Sequence, residues 1–312
     1  MVIIFGSVNL DLFYRVPHVP QGGETLLIPA HVNSPGGKGA NQAVAVAKMG
    51  SPALFVCAVG KDGFANYLLD YLQSQGVDTK LAQTVDTPTG TAIIILESNG
   101  ENRILVSSGA NYETKSASVP DAALVPENIL LIQMETKVDE ICALIDRASA
   151  KKMRIVLNMA PAIFPGEDAL KKIDILIVNE VELSQIYSEL GRGERTDSIL
   201  ERASFVSETY GIDCVVTLGA EGVLCRTKDG EILKSAALPL DEVVDTTGAG
   251  DALCGAFTAA LEQGMSLQEA LDIGCIAGSL ACLKLGASES YADREQILSL
   301  MDAAHTPIAV KN

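Results

Sequence analysis

The chain has 312 residues, 48% of them hydrophobic and 20% charged, a composition of folded rather than disordered proteins. A formal net charge of −17 argues against a nucleic-acid or anionic-membrane partner, since both need a basic footprint. It leaves phosphorylated ligands open, because anion sites are local and use backbone N–H groups.

Seven scattered cysteines without a CxxC pair read as reduced core thiols, and His18, His31 and His305, which lack metal-ligand spacing, read as surface residues. No apolar run approaches the length of a membrane span, and MVIIFGSVNLD has no basic signal-peptide region. The location expected from this is cytoplasmic. The length fits one large α/β domain, with no linker or repeat to divide residues 1–312.

In chain order, residues 2–5 form an apolar run that leads into Asn9 and Asp11. Residues 11–33 are richer in β-formers. Gly36-Gly37-Lys38-Gly39-Ala40-Asn41-Gln42-Ala43 then opens a helix over 40–49. A strand is predicted at 53–59 and a helix at 62–75, where Phe64, Tyr67, Leu68, Tyr71 and Leu72 share one face before Gly76 stops it. Residues 86–111 again favour β, with Asn99-Gly100 as a hairpin turn between 93–97 and 103–107. The segments 11–33 and 86–111 are expected to form a small antiparallel sheet able to close over a site.

Strands are predicted at 128–133, 154–158, 174–178 and 213–218. Their β-branched content and lack of alternation suit a mostly parallel sheet covered on both faces by helices. Polar residues recur at the strand ends: Asn9 and Asp11, then Glu135, Asn179 and Thr217. Ligands of such sheets sit outside the carboxyl ends of the strands.

Two glycine-rich segments carry the chemistry. Asp245-Thr246-Thr247-Gly248-Ala249-Gly250-Asp251 precedes an apolar helix over 252–261, whose unpaired first N–H groups would face the turn and form an anion hole. Asp251 alone reads equally as a catalytic carboxylate or as a plain N-cap. In the Gly36–Ala43 segment, Lys38 and Asn41 supply donors for ligand hydroxyls. No G-x-x-x-x-G-K-[ST], H-R-D or D-F-G occurs, and Leu253 stands where a dinucleotide fingerprint needs its third glycine.

Gly6-Ser7-Val8-Asn9-Leu10-Asp11, Gly36 to Ala43 and Asp245 to Asp251 resemble, in order and spacing, the defining motifs of the ribokinase (PfkB) family. The likeness extends through Ser107-Ser108-Gly109-Ala110-Asn111, Gln133-Met134-Glu135, Asn179-Glu180-Val181-Glu182 and Thr217-Leu218-Gly219-Ala220-Glu221-Gly222. It implies a layered α/β/α sandwich with a β-lid and ATP-dependent phosphorylation of a sugar hydroxyl. D-ribose, yielding ribose 5-phosphate, comes first, with a ribonucleoside or a hexose such as fructose behind it.

On that resemblance Asp251 is the base facing the acceptor hydroxyl, and Gly248, Ala249 and Gly250 form the anion hole. Asn9, Asp11, Gly37, Lys38, Asn41 and Glu135 line the sugar site, and Asn179, Thr217, Gly219, Gly222 and Gly250 line the ATP site. Glu182 acts on Mg2+. Asp245 and Ser290, with backbone groups near Thr247, Ala281, Lys284 and Gly286, match a K+ site. A homodimer through the lid is also implied.

The chain departs from the family pattern at Val178, usually proline, and at Gly286-Ala287-Ser288-Glu289-Ser290, which replaces Gly-Ala-Gln-Pro-Ser. Gly274 stands near the place where relatives put an adenine-contacting side chain.

Overall fold

The computed structural model describes residues 1–97, 102–192, 196 and 198–301. The Asn99-Gly100 turn and His305 lie outside the described residues.

The main sheet has eight strands, in the spatial order Ile232–Ser235, Val223–Arg226, Asp213–Thr217, Ile175–Asn179, Arg154–Asn158, Ile129–Gln133, Val2–Phe5 and Ala53–Val56. The six from Asp213–Thr217 to Ala53–Val56 pair in parallel; the other two join antiparallel. The chain leaves Val2–Phe5 for Ala53–Val56 on one side and resumes on the other with Ile129–Gln133. Their carboxyl ends therefore flank the topological switch point, where open α/β sheets bind ligands.

Alternation of side chains across the strands divides the core in two. Val2 and Ile4 point to one face, where helices Lys38–Lys48, Gly63–Ser74, Ala249–Glu262 and Leu267–Ala281 cover them. Ile3 and Phe5 point to the other, against Val138–Ala150, Glu180–Glu189 and Ile199–Tyr210. Burial on both faces explains the unbroken apolar runs. The result is the expected three-layer sandwich.

The predicted strand at 53–59 breaks at Cys57. Ala53–Val56 is an edge strand of the main sheet, while Ala58–Gly60 pairs with Gln83–Val85. Both halves are buried, so hydrophobicity gave no sign of the break. Asp62 caps the Gly63–Ser74 helix by accepting from Ala65 N at 3.0 Å.

The small sheet has the order His31–Gly36, Asn9–Val16, Gly90–Glu97, Asn102–Ser107. Its outer pairs are antiparallel as expected, but the central pair is parallel, Asn9 standing opposite Gly90. The connection between these two strands runs through the Gly63–Ser74 helix, a crossover that parallel pairing requires.

Helices Lys38–Lys48 and Ala249–Glu262 cross closely at Gly255. A Cβ there would lie 2.4 Å from Ala45 Cβ and 2.6 Å from the Gln42 carbonyl oxygen. Gly255→Ala is therefore expected to push the helices apart and cost about 1–3 kcal/mol of stability, measured by urea unfolding. An unchanged midpoint would contradict this packing.

Candidate active site

Gly248, at φ +75°, is the N-cap of Ala249–Glu262, and no side chain caps the helix. The Ala249 amide donates to Thr246 O at 3.2 Å, and the first regular helical bond runs from Ala252 N to Gly248 O at 2.8 Å. The amides of Gly250 and Asp251 occupy the N2 and N3 positions that a capping side chain would normally serve. Of the amides expected to form an anion hole over 248–250, that of Ala249 is engaged in the turn.

Asp251 is not the N-cap. Its carboxylate is buried and faces helix Lys38–Lys48: Asn41 Nδ2 donates to Oδ2 at 3.0 Å and Gln42 Nε2 donates to Oδ1 at 2.8 Å. A helix N-terminus by itself favours the ionised form of a nearby carboxyl. At Asp251 burial instead pushes the pKa up, opposed by the Lys38 ammonium and the two amide donors. A raised pKa makes Asp251 a better proton acceptor than an ordinary surface carboxylate.

Around it lie the other candidate sugar-site residues. Glu135 Oε2 accepts from Ser7 Oγ at 2.5 Å and from the Lys38 amide at 3.0 Å. Ser7 O takes the Ala40 amide at 2.9 Å. These acceptors satisfy the start of a helix whose N-cap, Gly37 at φ +91°, has no side chain to do so. The Gly37 position also approaches Val8 Cα, so a side chain there would clash with backbone. Asn9 Oδ1 accepts from Asn111 Nδ2 at 2.7 Å, and Asn111 Oδ1 takes the Val8 amide at 2.9 Å. Asn41 Oδ1 is buried without a hydrogen-bond partner.

Charges couple across this cluster. The Lys38 ammonium is raised by Asp251 first, then by Glu135 and Glu182, against the effect of burial. Burial, reinforced by Glu135 and Asp251, pushes Asp11 from 3.8 up to about 7. The folded protein therefore keeps a proton on Asp11 that the unfolded chain has already released. The associated stability is fully present below about pH 3.8 and is lost as pH rises to about 7. Asp11→Asn removes this dependence. Its melting temperature is expected to gain on the wild type between about pH 4 and about pH 7 and then level off; a constant difference would contradict the shift.

A cavity of 1310 Å³ adjoins the Ala249–Glu262 helix and reaches its first turn at Thr246, Ala249 and Gly250. Thr217, Gly219 and Gly222 line it, and Gly222, at φ +95°, packs against the backbone of Ser235 to Ala237 where no side chain fits. The lining also includes Ala236 to Leu240, Lys234, Gln268, Asp272, Cys275 and Ser279, which were not read from the sequence. Gly274 instead faces Leu253 and Phe257, so the helix presents Cys275 to the cavity in its place.

Asn179 is not among the lining residues. It caps Glu180–Glu189, accepting from the Glu182 amide at 2.8 Å, while Glu182 Oε2 accepts from the Asn179 amide at 2.8 Å. The N-x-x-E pattern thus forms a capping box. Burial raises the Glu182 carboxyl, Asp251 adds to this, and the Asn179 amide and Lys38 oppose it.

The loops carrying the candidate monovalent-cation residues meet. Val244 N donates to Cys282 O at 2.9 Å and Gly286 N to Asp245 Oδ2 at 3.0 Å. Asp245 Oδ1 accepts from Thr247 N at 2.9 Å and Thr247 Oγ1 at 2.6 Å. Burial alone would raise Asp245, but these hydrogen bonds outweigh it and hold the carboxyl low. Ser290 is buried and donates to Ala287 O at 2.7 Å, Ala281 is buried, and Lys284 is exposed. Glu289 reaches the small sheet, accepting from Ser34 Oγ at 2.8 Å.

The cysteines are free, and His18 and His31 are exposed. Among the described residues no helix is long and apolar enough to cross a membrane, and no His/Cys/Asp/Glu cluster suits a metal ion.

The pfkB family of carbohydrate kinases matches residues 1–294. A ribokinase of Haemophilus influenzae is 32% identical over 306 residues, covering 96% of this chain and 98% of its own. A deoxyribokinase of Salmonella typhi is 31% identical over 302 residues, covering 95% and 96%. The structure of Arabidopsis thaliana ribokinase complexed with ribose and ATP aligns with a TM-score of 0.88 at 30% identity, covering 96% of this chain and 98% of that one. The chain belongs to the pfkB family of carbohydrate kinases, and it is an ATP-dependent sugar kinase.

Proposed function

We propose that this kinase transfers the γ-phosphoryl group of ATP to the primary hydroxyl of D-ribose, giving D-ribose 5-phosphate. The observation that carries the reading is the position of Asp251. It stands in the first turn of a helix that no side chain caps, and its carboxylate faces the polar cluster around Asn41 and Lys38. A hydroxyl held at Asn41 would lie between the carboxylate and a phosphate bound at the Gly250 and Asp251 amides.

Asn9, Asp11, Gly37, Lys38, Asn41 and Glu135 bind the sugar in this reading. Thr217, Gly219, Gly222 and Gly250 hold the nucleotide, with Asn179 positioning the loop beside it. As the sugar oxygen bonds to the γ-phosphorus, the bond to the departing ADP breaks and the hydroxyl proton passes to Asp251. The amides and the Lys38 ammonium stabilise charge on the phosphoryl oxygens, an arrangement worth about 3–4 kcal/mol per donor.

Glu182, a half-buried carboxylate that feels the charges of Lys38 and Asp251, fits a role beside a bound Mg2+. When bound, that ion supplies neutralising charge to the triphosphate. Asp245, held ionised between two touching loops, with Ser290 and the carbonyls near Thr247, Ala281, Lys284 and Gly286, makes an oxygen-rich set suited to K+.

Ribose is preferred over a nucleoside because the cluster is polar, while Tyr14 stacks on His31 at 5.4 Å and Tyr112 is exposed. The small sheet acts as the lid. Its exposed Val32, Ile104, Leu105 and Val106 support a homodimer formed through it. A cytoplasmic enzyme is the fitting location.

An ADP-release screen over ribose, deoxyribose, other pentoses, hexoses and nucleosides, with and without K+, tests the assignment. Ribose is expected to have the highest kcat/KM and K+ to raise the rate. A higher value for deoxyribose or a nucleoside would replace ribose as the substrate.

A further inference from the structure

Gln42 is fully buried on a helix that continues from Ala43 to Ala47 with alanine and valine alone. A residue there only to fill space would be apolar, since an unmatched buried carboxamide costs about 1–3 kcal/mol. Every polar atom of this side chain is instead committed. Nε2 donates to Asp251 Oδ1 at 2.8 Å and to Asn158 Oδ1 at 3.0 Å, and Oε1 accepts from Gln133 Nε2 at 2.6 Å.

The direction of this chain is set at both ends by groups that only accept. Asn158 Nδ2 donates to the Ile177 carbonyl at 3.2 Å, so its oxygen must face Gln42. The ionised Asp251 carboxylate likewise requires a donor. Both hydrogens of Gln42 Nε2 are thus used, and its oxygen must turn to Gln133. Rotating the amide by half a turn would set an acceptor against two acceptors. Gln133 and Asn158 stand opposite each other at the carboxyl ends of adjacent strands, so the anchor is the main sheet itself.

We propose that Gln42 is a positioning residue for phosphoryl transfer: clamped by Gln133 and Asn158, its carboxamide fixes one oxygen of Asp251 while Asn41 fixes the other. Full burial keeps Gln42 away from the sugar, so its effect is exerted through Asp251. The inference rests on the reading of Asp251 as proton acceptor.

The test is a double-mutant cycle. Gln42→Leu is expected to lower kcat about ten- to a hundredfold, the scale of a misplaced catalytic group, with sugar Kd, measured by calorimetry, changed less than about threefold. In the Asp251→Asn background, read by single turnover with radiolabelled ATP, the same substitution should change the rate less than about threefold, because its target is gone. Equal losses in both backgrounds, or a raised sugar KM with kcat intact, would overturn the proposal.

If Gln42→Leu does not fold, Gln133→Leu, which removes the donor to Oε1, should give a smaller loss with the same non-additivity; an additive loss overturns the proposal equally. Near-normal turnover by Asp251→Asn alone would instead remove the underlying reading, so the two failures are distinct.

Discussion

Asp251→Asn is expected to lower kcat about a hundred- to ten-thousandfold while leaving sugar affinity within a few-fold. The substitution keeps the shape of the side chain but removes its ability to take the hydroxyl proton. Asn41 and Gln42 both donate to the carboxylate, so an amide in its place sets one donor against another. That costs about 1–3 kcal/mol of stability, too little to unfold an ordinary domain. Coupled ADP release and calorimetry separate the two quantities. A loss of sugar affinity with kcat preserved would assign Asp251 to binding alone.

A pH profile adds a second signature. In the proposed reaction the ionised carboxylate accepts the proton, so acid is expected to abolish turnover by protonating it. Because burial raises its pKa, the acid limb of kcat/KM should lie above the ordinary carboxylate range.

Gly248→Ala is expected to reduce kcat about a hundred- to a thousandfold, the cost of disturbing preset donors to a developing anion. The residue sits at φ +75°, where a side chain costs about 1–2 kcal/mol. The larger effect is contact: a Cβ would lie 2.7 Å from Tyr291 Oη and 2.8 Å from Ala287 Cβ. Tyr291 Oη also donates to Gly248 O at 2.8 Å, so the turn cannot relax without giving up its own support. The amides of Gly250 and Asp251 move with it.

Gly264→Ala, at the far end of the same helix, supplies the control. Its φ is +82°, but the space around it is open, so it carries the backbone strain alone. Turnover far lower in folded Gly248→Ala than in Gly264→Ala would locate the effect at the anion site; equal turnover in both would remove the role assigned to Gly248.

The sequence made the parallel core and the two glycine turns readable because both are local signals. Runs such as residues 2–5 and 154–158 are buried on both faces, and their composition states it. The split at Cys57 was hidden by the same property, since two successive strands in different sheets are equally apolar. The antiparallel strands Val223–Arg226 and Ile232–Ser235 had a usable marker in Asp229-Gly230, where Gly230 adopts φ +95°. The parallel pairing of Asn9–Val16 with Gly90–Glu97 had none, because register across a crossover is not written in either strand.

The site divides along the same line. Asp251 was legible as a residue, but its environment was not. That it is not the cap could be told only by seeing Gly248 take that position and Asn41 and Gln42 take the carboxylate. Asn179 and Glu182 show the reverse case, a motif read as ligand-binding that also forms a capping box. The Gln133–Gln42–Asn158 chain joins residues 91 and 116 positions apart, and no short-range pattern announces such contacts.

A crystal structure with a non-hydrolysable ATP analogue and ribose addresses the central claim most directly. The terminal phosphate should accept from the Gly250 and Asp251 amides, with the primary hydroxyl of ribose at about 2.6–3.2 Å from the Asp251 carboxylate. A triphosphate bound away from that helix start, or a ribose whose hydroxyls all avoid Asp251, would contradict it.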